Sequence, residues 1–348
     1  MVLYVGAYTE DPMGHARGIG LTRFDAERGV LEPIASTTEA RNPSFLVPSA
    51  NGAFLYSVNE LENGGVTALA RDPQNGELRR LNSQPTGGAH PCYLSLDRSG
   101  RFLLAVNYTG GNLAVFPIGD DGTLEPASQV LAHTGKSVDP NRQEAPHPHM
   151  IAPSPDGRFI YVTDLGTDQM LRYRLDTAIG VLEDSLAIAM TPGMGPRHFA
   201  FSPDGKTMVV IGELDSTLVS FGIDQDGSLT PVSSVSTLPD DFAGKSSCAH
   251  VLFSQDGRFV YGSNRGHDSI AVAAFDAESR GLEIVGIVPT GGQEPRNFTL
   301  DPTGEWLLAA NQYSDTITVL QRDAETGRLT ATGASIESPS PVMLLFVP

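Results

Sequence analysis

Five side chains stand out for the chemistry they offer: His149, Arg197, Glu213, Arg265 and Arg296. An imidazole or a carboxylate can take a proton from a reacting group near neutral pH. Guanidinium groups grip carboxylates and phosphates through paired N–H donors. Three arginines converging on one place call for an anion. The demand is sharper here, because the chain has 23 basic against 41 acidic residues and a formal charge of −18. Such a chain repels nucleic acid and anionic lipid, so neither is expected as a partner. Arg142 and His147 are second-rank candidates for binding the same ligand. The structural alternatives are an Arg197–Glu213 ion pair, a hydrogen-bonded core histidine at position 149, and arginines that merely neutralise acids on a rim.

These residues belong together because of a repeat. Turn glycines at 52, 100, 157, 205, 257 and 304 lie 48, 57, 48, 52 and 47 residues apart, the period of a four-stranded propeller blade. Each unit opens at Pro43, Pro91, Pro148, Pro196, Cys248 or Pro295, runs through a short apolar strand and turns at a motif such as Ser202-Pro203-Asp204-Gly205. An apolar second strand follows, such as Phe159-Ile160-Tyr161-Val162. A third and a fourth come next, as in Thr217–Phe221 and Leu229–Val235. Turns this dense exclude long helices. In a propeller, the start of the first strand and the end of the second open on one face near the axis. The first-strand column reads Ser44, Cys92, His149, Arg197, Ala249, Arg296, and the second-strand column reads Glu60, Tyr108, Leu165, Glu213, Arg265, Gln312. Arg197 and Glu213 fall at the same end of adjacent antiparallel strands and are expected to touch. One residue before the second column stand Asn59, Asn107, Asp164, Gly212, Asn264 and Asn311; the repeated Asn is expected to be structural, because Asn tolerates left-handed backbone.

The six units leave fragments at both ends. Pro341–Phe346 resembles a first strand with nothing after it, and Val2–Val5 a second strand with nothing before it. Strands at about 18–24 and 30–36 would complete a seventh blade, closed by the two termini, which removes an open sheet edge. The expectation is all-β, one seven-bladed β-propeller domain over residues 1–348. The 57-residue spacing places extra length in the polar stretch His133–His147, which leads into His149 and is a candidate functional loop.

The remaining signals bound the function. Cys92 and Cys248 are the only cysteines, and two isolated thiols suggest a reducing, cytoplasmic setting. Neither has an evident activating base. The N-terminus lacks a basic segment and a cleavage site, and no apolar run is long enough to span a membrane. His147-Pro148-His149 places two imidazoles together, but no Cys or carboxylate follows at metal-ligand spacing, so no metal or other cofactor is expected. His90, His198 and His250 fall at strand starts, as core or lining residues. There is no nucleophile elbow and no phosphate-binding loop.

Several stretches resemble the propeller lactonase family across essentially the whole chain. They are Arg142-Gln143-Glu144-Ala145-Pro146-His147-Pro148-His149, Pro155-Asp156-Gly157-Arg158, Asp164-Leu165-Gly166, Gly195-Pro196-Arg197-His198, Glu213-Leu214 and Pro295-Arg296-Asn297-Phe298. That family includes bacterial propeller-type 6-phosphogluconolactonases and fungal 3-carboxy-cis,cis-muconate lactonising enzymes. The resemblance implies a metal-free site on one face. It matches a His, a Glu and an Arg of the muconate enzymes' proposed site to His149, Glu213 and Arg197, with Arg265 or Arg296 as a second Arg. The expected activity is hydrolysis of a sugar-acid lactone, 6-phosphogluconolactone first. His149 or Glu213 would activate water, Arg197 would face the oxyanion, and Arg265 and Arg296 would hold the anionic group. The substrate would be a small anionic lactone and the protein a monomer or weak homo-oligomer. The alternatives are a carboxymuconate cycloisomerase, an unphosphorylated aldonic or aldaric lactone hydrolase, and a non-catalytic scaffold, which would show a broad surface patch instead of converging polar groups.

Overall fold

The computed structural model describes residues 1–347. Among them the regular structure is entirely β, in seven four-stranded antiparallel sheets. Among the described residues the chain divides into two compact units, one of residues 1–5, 22–34 and 197–346, the other of residues 6–21, 35–196 and 347.

The terminal sheet is the composite one that the fragments predict. Strands β1 (Val2–Ala7), β2 (Ile19–Asp25) and β3 (Val30–Thr37) are joined by β28 (Pro341–Val347) in the order β28-β1-β2-β3. The second unit holds three complete sheets. They are β4–β7 (Leu46–Pro48, Phe54–Asn59, Gly65–Arg71, Leu78–Pro85), β8–β11 (Pro91–Leu96, Phe102–Asn107, Asn112–Pro117, Gln129–Ala132) and β12–β15 (Pro148–Pro153, Ile160–Asp164, Gln169–Asp176, Val181–Ala189). The first unit holds β16–β19 (Pro196–Phe201, Thr207–Gly212, Thr217–Ile223, Leu229–Ser236), β20–β23 (Ser247–Phe253, Phe259–Arg265, Ser269–Phe275, Leu282–Pro289) and β24–β27 (Pro295–Leu300, Trp306–Asn311, Thr316–Arg322, Leu329–Glu337). Seven such sheets make the chain a seven-bladed β-propeller.

Burial explains why each strand has its sequence. The second strand is the most deeply buried, so β9 and β17 are buried at every residue and read as nearly continuous apolar runs. The fourth strand is outermost, so β19 and β27 are largely exposed and alternate between partly covered and exposed residues only toward their ends, with period two. The cores lie between successive sheets. Leu104, Val106, Val115, Ile151, Ile160 and Val162 form one in the second unit. Phe259, Val272, Phe298 and Leu307 form one in the first. Each such side chain contributes about 1.5–3 kcal/mol through burial.

Two local devices matter for the site. The first is a β-bulge at the start of the first strand. Between β12 and β13, Pro148 pairs with Asp164 and Met150 with Thr163, so His149 is the extra residue. Cys92 and Arg296 are the extra residues in their own sheets. A bulge takes a residue out of the ladder and re-aims its side chain. Hydroxyls of the paired strand accept the backbone N–H groups beside it, Thr163 from Met150 at 3.1 Å and Ser263 from His250 at 3.1 Å.

The second device is a latch between one sheet and the next. Asp168, Asp268 and Asp315 have positive φ. Their carboxylates accept the backbone N–H of Gly195, Glu294 and Ser340, each the residue before a strand-opening proline, at 2.7–2.8 Å. The repeated asparagines are structural for a different reason from the one expected. None has positive φ. Three hydrogen-bond across to the loop leading in from the preceding sheet: Asn59 donates to Arg41 O at 2.9 Å, Asn107 to Thr86 O at 3.3 Å and Asn264 to Thr237 O at 2.9 Å, while Asn311 donates within its own sheet, to Thr318 Oγ1 at 3.1 Å. Asp164 is the variant in its sheet, with its Oδ2 2.7 Å from His133 Nδ1.

Candidate functional site

The first unit gathers Arg197, Glu213 and Arg265. Arg197 is the second residue of β16, Glu213 follows the last residue of β17, and Arg265 ends β21. Glu213 Oε2 lies 2.8 Å from Arg197 Nε and 3.0 Å from Arg265 Nη2. Arg265 Nη1 is 3.6 Å from Glu294 Oε1. The side chains of Arg197, Glu213 and Arg265 are 2%, 5% and 8% exposed, against 19% for Glu294. The start of β20 supplies the remaining acceptors. Arg265 donates to Ser247 O at 3.3 Å and Cys248 O at 3.1 Å, and Arg197 Nη1 donates to Ala249 O. Arg197 and Arg265 therefore meet carboxylates of the protein itself, and Glu294 is a member of the cluster that the two sequence columns omit. Arg296 sits half-buried at the bulge of β24.

Behind Arg197 lie two buried imidazoles. Arg197 Nη1 is 3.3 Å from His198 Nε2, and His198 Nδ1 is 2.9 Å from His250 Nδ1. Burial, reinforced by the Arg197 charge, pushes His250 down to about 3.

The second unit gathers His149, His147, Tyr108 and Arg142. The His147 ring stacks on Tyr108 at 4.5 Å, and His149 meets the same phenol edge-on at 5.5 Å. Arg142 Nη2 donates to Tyr108 Oη at 3.3 Å. His147 has both ring nitrogens engaged, Nδ1 with Tyr108 O at 3.0 Å and Nε2 with Glu144 Oε1 at 3.3 Å. It braces Tyr108. Tyr108 stands in the second-strand column, but its chemistry was visible only once the rings on either side were placed. Cys92 does have a basic neighbour, contrary to expectation: its Sγ lies 3.7 Å from His149 Nδ1. The bulges at both residues turn their side chains toward each other. Cys248 is inert by comparison, its thiol pushed up to about 12 by burial.

The stretch leading to His149 is well anchored. Gln143 is fully buried and donates through Nε2 to Leu165 O at 2.9 Å. Ser137 Oγ donates to Asp168 at 2.6 Å, and Asp164 Oδ1 accepts the backbone N–H of His147 at 2.9 Å. A Cβ on Gly166 would sit 1.9 Å from Ala145 O, so only glycine lets the two segments pass this closely. In a groove of about 260 Å³ alongside, Tyr173 Oη contacts His133 Nε2 at 3.0 Å. Among the described residues, no three His, Cys, Asp or Glu side chains are grouped to hold a metal ion.

Residues 2–346 match the family model described as Lactonase, 7-bladed beta-propeller. The chain belongs to this propeller lactonase family. A 6-phosphogluconolactonase of Bacillus subtilis is 38% identical over 346 residues, spanning 99% of this chain and 97% of the relative. A 6-phosphogluconolactonase of Formosa agariphila is 32% identical, over 94% of each chain. The solved structure of a periplasmic gluconolactonase of Pseudomonas aeruginosa is 34% identical, with a TM-score of 0.94, and covers 100% of this chain and 99% of its own. As a propeller lactonase, the chain carries its candidate groups on two devices of the fold, the bulge that opens each sheet and the residue that ends the second strand.

Proposed function

We propose that this protein is a lactone hydrolase whose substrate is a sugar-acid lactone, 6-phosphogluconolactone first. The observation that carries the proposal beyond family membership is the meeting of Arg197 and Arg265 on Glu213 in a chain of charge −18. An acidic protein that buries two guanidiniums side by side has spent considerable desolvation energy to present cationic donors. Ring opening needs little else. Water adds to the ester carbonyl, the ring C–O bond breaks, and the proton lost by water ends on the leaving alkoxide.

Each cluster takes its role from its own chemistry. Arg197 and Arg265 supply donors for the oxyanion and the anionic substituent, where one preorganised donor is worth about 3 kcal/mol of barrier. Arg296 adds a further cation for the phosphate. Glu213 orients both guanidiniums, and its engagement with two cations makes it the weaker base. His149 is the general base, a role that typically contributes roughly 10²–10⁴-fold, and Tyr108 holds its ring edge-on. Arg142 and His147 support Tyr108.

The test is a panel with purified protein: 6-phosphogluconolactone, unphosphorylated gluconolactone and a carboxymuconate. Hydrolysis with a preference for the phosphorylated lactone is the expected result. Preference for the plain lactone would move the proposal to a gluconolactonase, and ring closure of the muconate to a cycloisomerase. No turnover of any of them overturns it. His149→Ala should lower turnover at least 10²-fold with the fold retained, and wild-type turnover would remove the base assignment. Among the described residues no helix is long and apolar enough to cross a membrane. A cytoplasmic location is proposed from the two cysteines, neither of which is in a disulfide, and is checked by cell fractionation. A monomer or weak homo-oligomer is expected on a sizing column.

A further inference from the structure

We propose that His198 and His250 are positioning residues for Arg197, a neutral imidazole pair locked in one tautomeric arrangement that fixes the guanidinium where it acts. The proposal rests on the functional role given to Arg197 above. The logic begins with the donor inventory. A guanidinium has only N–H groups and can only donate. Arg197 Nη1 lies 3.3 Å from His198 Nε2, so that nitrogen presents its lone pair. The His198 proton must then be on Nδ1. Nδ1 lies 2.9 Å from His250 Nδ1, so His250 accepts there and carries its own proton on Nε2. Every member of the chain is determined by the charge at its head.

The surroundings enforce this state. His198 and His250 are 3% and 9% exposed. Their rings cross at 90° with centroids 5.1 Å apart, and the far side of His250 packs on Phe298 at 5.3 Å. A second proton on either ring would set two N–H groups against each other beside a buried cation. The low value for His250, about 3, is consistent with that penalty. The same short segment of β20 grips the guanidinium twice, through Ala249 O directly and through His250 by way of His198. A guanidinium held from two sides pays its ordering cost in the free protein rather than during reaction, which is the condition for effective charge stabilisation.

The experiment combines spectroscopy and kinetics on the full-length protein, with 6-phosphogluconolactone as the probe substrate. Nitrogen-15 spectra of histidine-labelled protein should show His198 as the Nδ1–H form and His250 as the Nε2–H form, with neither titrating between pH 5 and 8. Any other tautomer, or titration in that window, overturns the proposal without reference to activity. In kinetics, His198→Phe should lower kcat by 10-fold or more with little change in KM. His198→Gln, which restores an acceptor toward Arg197, should recover most of it. Equal losses in the two variants would mean a packing role only. Arg197→Gln separates the two layers of inference. Wild-type turnover in that variant refutes the role of Arg197 itself. A large loss there together with wild-type kcat in His198→Phe refutes the positioning pair alone.

Discussion

Replacing Glu213 by Gln tests the core of the arginine cluster. The change keeps shape and removes one negative charge lying 2.8 Å from Arg197 and 3.0 Å from Arg265. At an effective dielectric of about 20, each such contact amounts to roughly 6 kcal/mol of attraction. Relaxation and backbone acceptors recover part of it, and removing one partner of a buried pair generally costs about 3–5 kcal/mol. Unfolding entropy of about 2.1 cal/mol/K per residue, applied to this chain length, turns that loss into a fall in melting temperature of about 4–7 °C. The control is Glu32→Gln, which breaks the Arg23–Glu32 pair, whose side chains are 61% and 67% exposed. Exposed pairs are worth about 0–1 kcal/mol, so its melting temperature should hardly move. Calorimetry at pH 7 reads both, and lactone hydrolysis well below the melting temperature reads the consequence for function. If Glu213→Gln melts within about 1 °C of the control, Glu213 is not the counter-charge and the cluster is loosely held.

Other outcomes follow from the same contacts. His250 is held neutral in the folded protein with its value lowered to about 3, whereas an unfolded histidine titrates near 6.5. The unfolded state therefore binds more protons between those values, and this contribution to stability is complete above about pH 6.5 and fades as pH falls toward 3. The stability gap between wild type and His250→Asn, measured by urea unfolding, should accordingly narrow from pH 7 to pH 4; a gap constant with pH would contradict the assignment. Asp164→Ala removes the partner of His133 Nδ1 and of the backbone N–H groups of His147, Gly166 and Thr167. Each buried donor left unpaired costs about 1–3 kcal/mol, so trypsin should cut faster after Lys136 or Arg142 than in wild type. Gly166→Ala forces residues 145–147 away and should lower turnover while leaving most of the stability, as judged by activity against melting temperature.

The sequence by itself determined the architecture, because a propeller repeats its physics. The same turn glycine and buried apolar second strand recur in each unit, and fragments at the two ends have only each other to pair with. It also determined that Arg197 and Glu213 touch, since adjacent antiparallel strands bring fixed positions together. What it left open depended on contacts between strands far apart in the chain. Arg265 joins Glu213 because its strand ends against the same carboxylate while the start of β20 supplies carbonyls to both guanidiniums. Glu294 neutralises Arg265 from a loop outside the two columns. Cys92 and His149 face one another only because each is the extra residue of a bulge, and nothing in composition or periodicity marks a bulge. Asn59, Asn107 and Asn264 are structural because they hold the incoming loop, while the left-handed backbone falls later, at Asp168, Asp268 and Asp315. Local pattern fixes which residues form strands. Which charges meet, and which histidine tautomers survive burial, is decided by tertiary structure, because hydrogen bonds and ion pairs depend on tenths of an ångström that no spacing rule conveys.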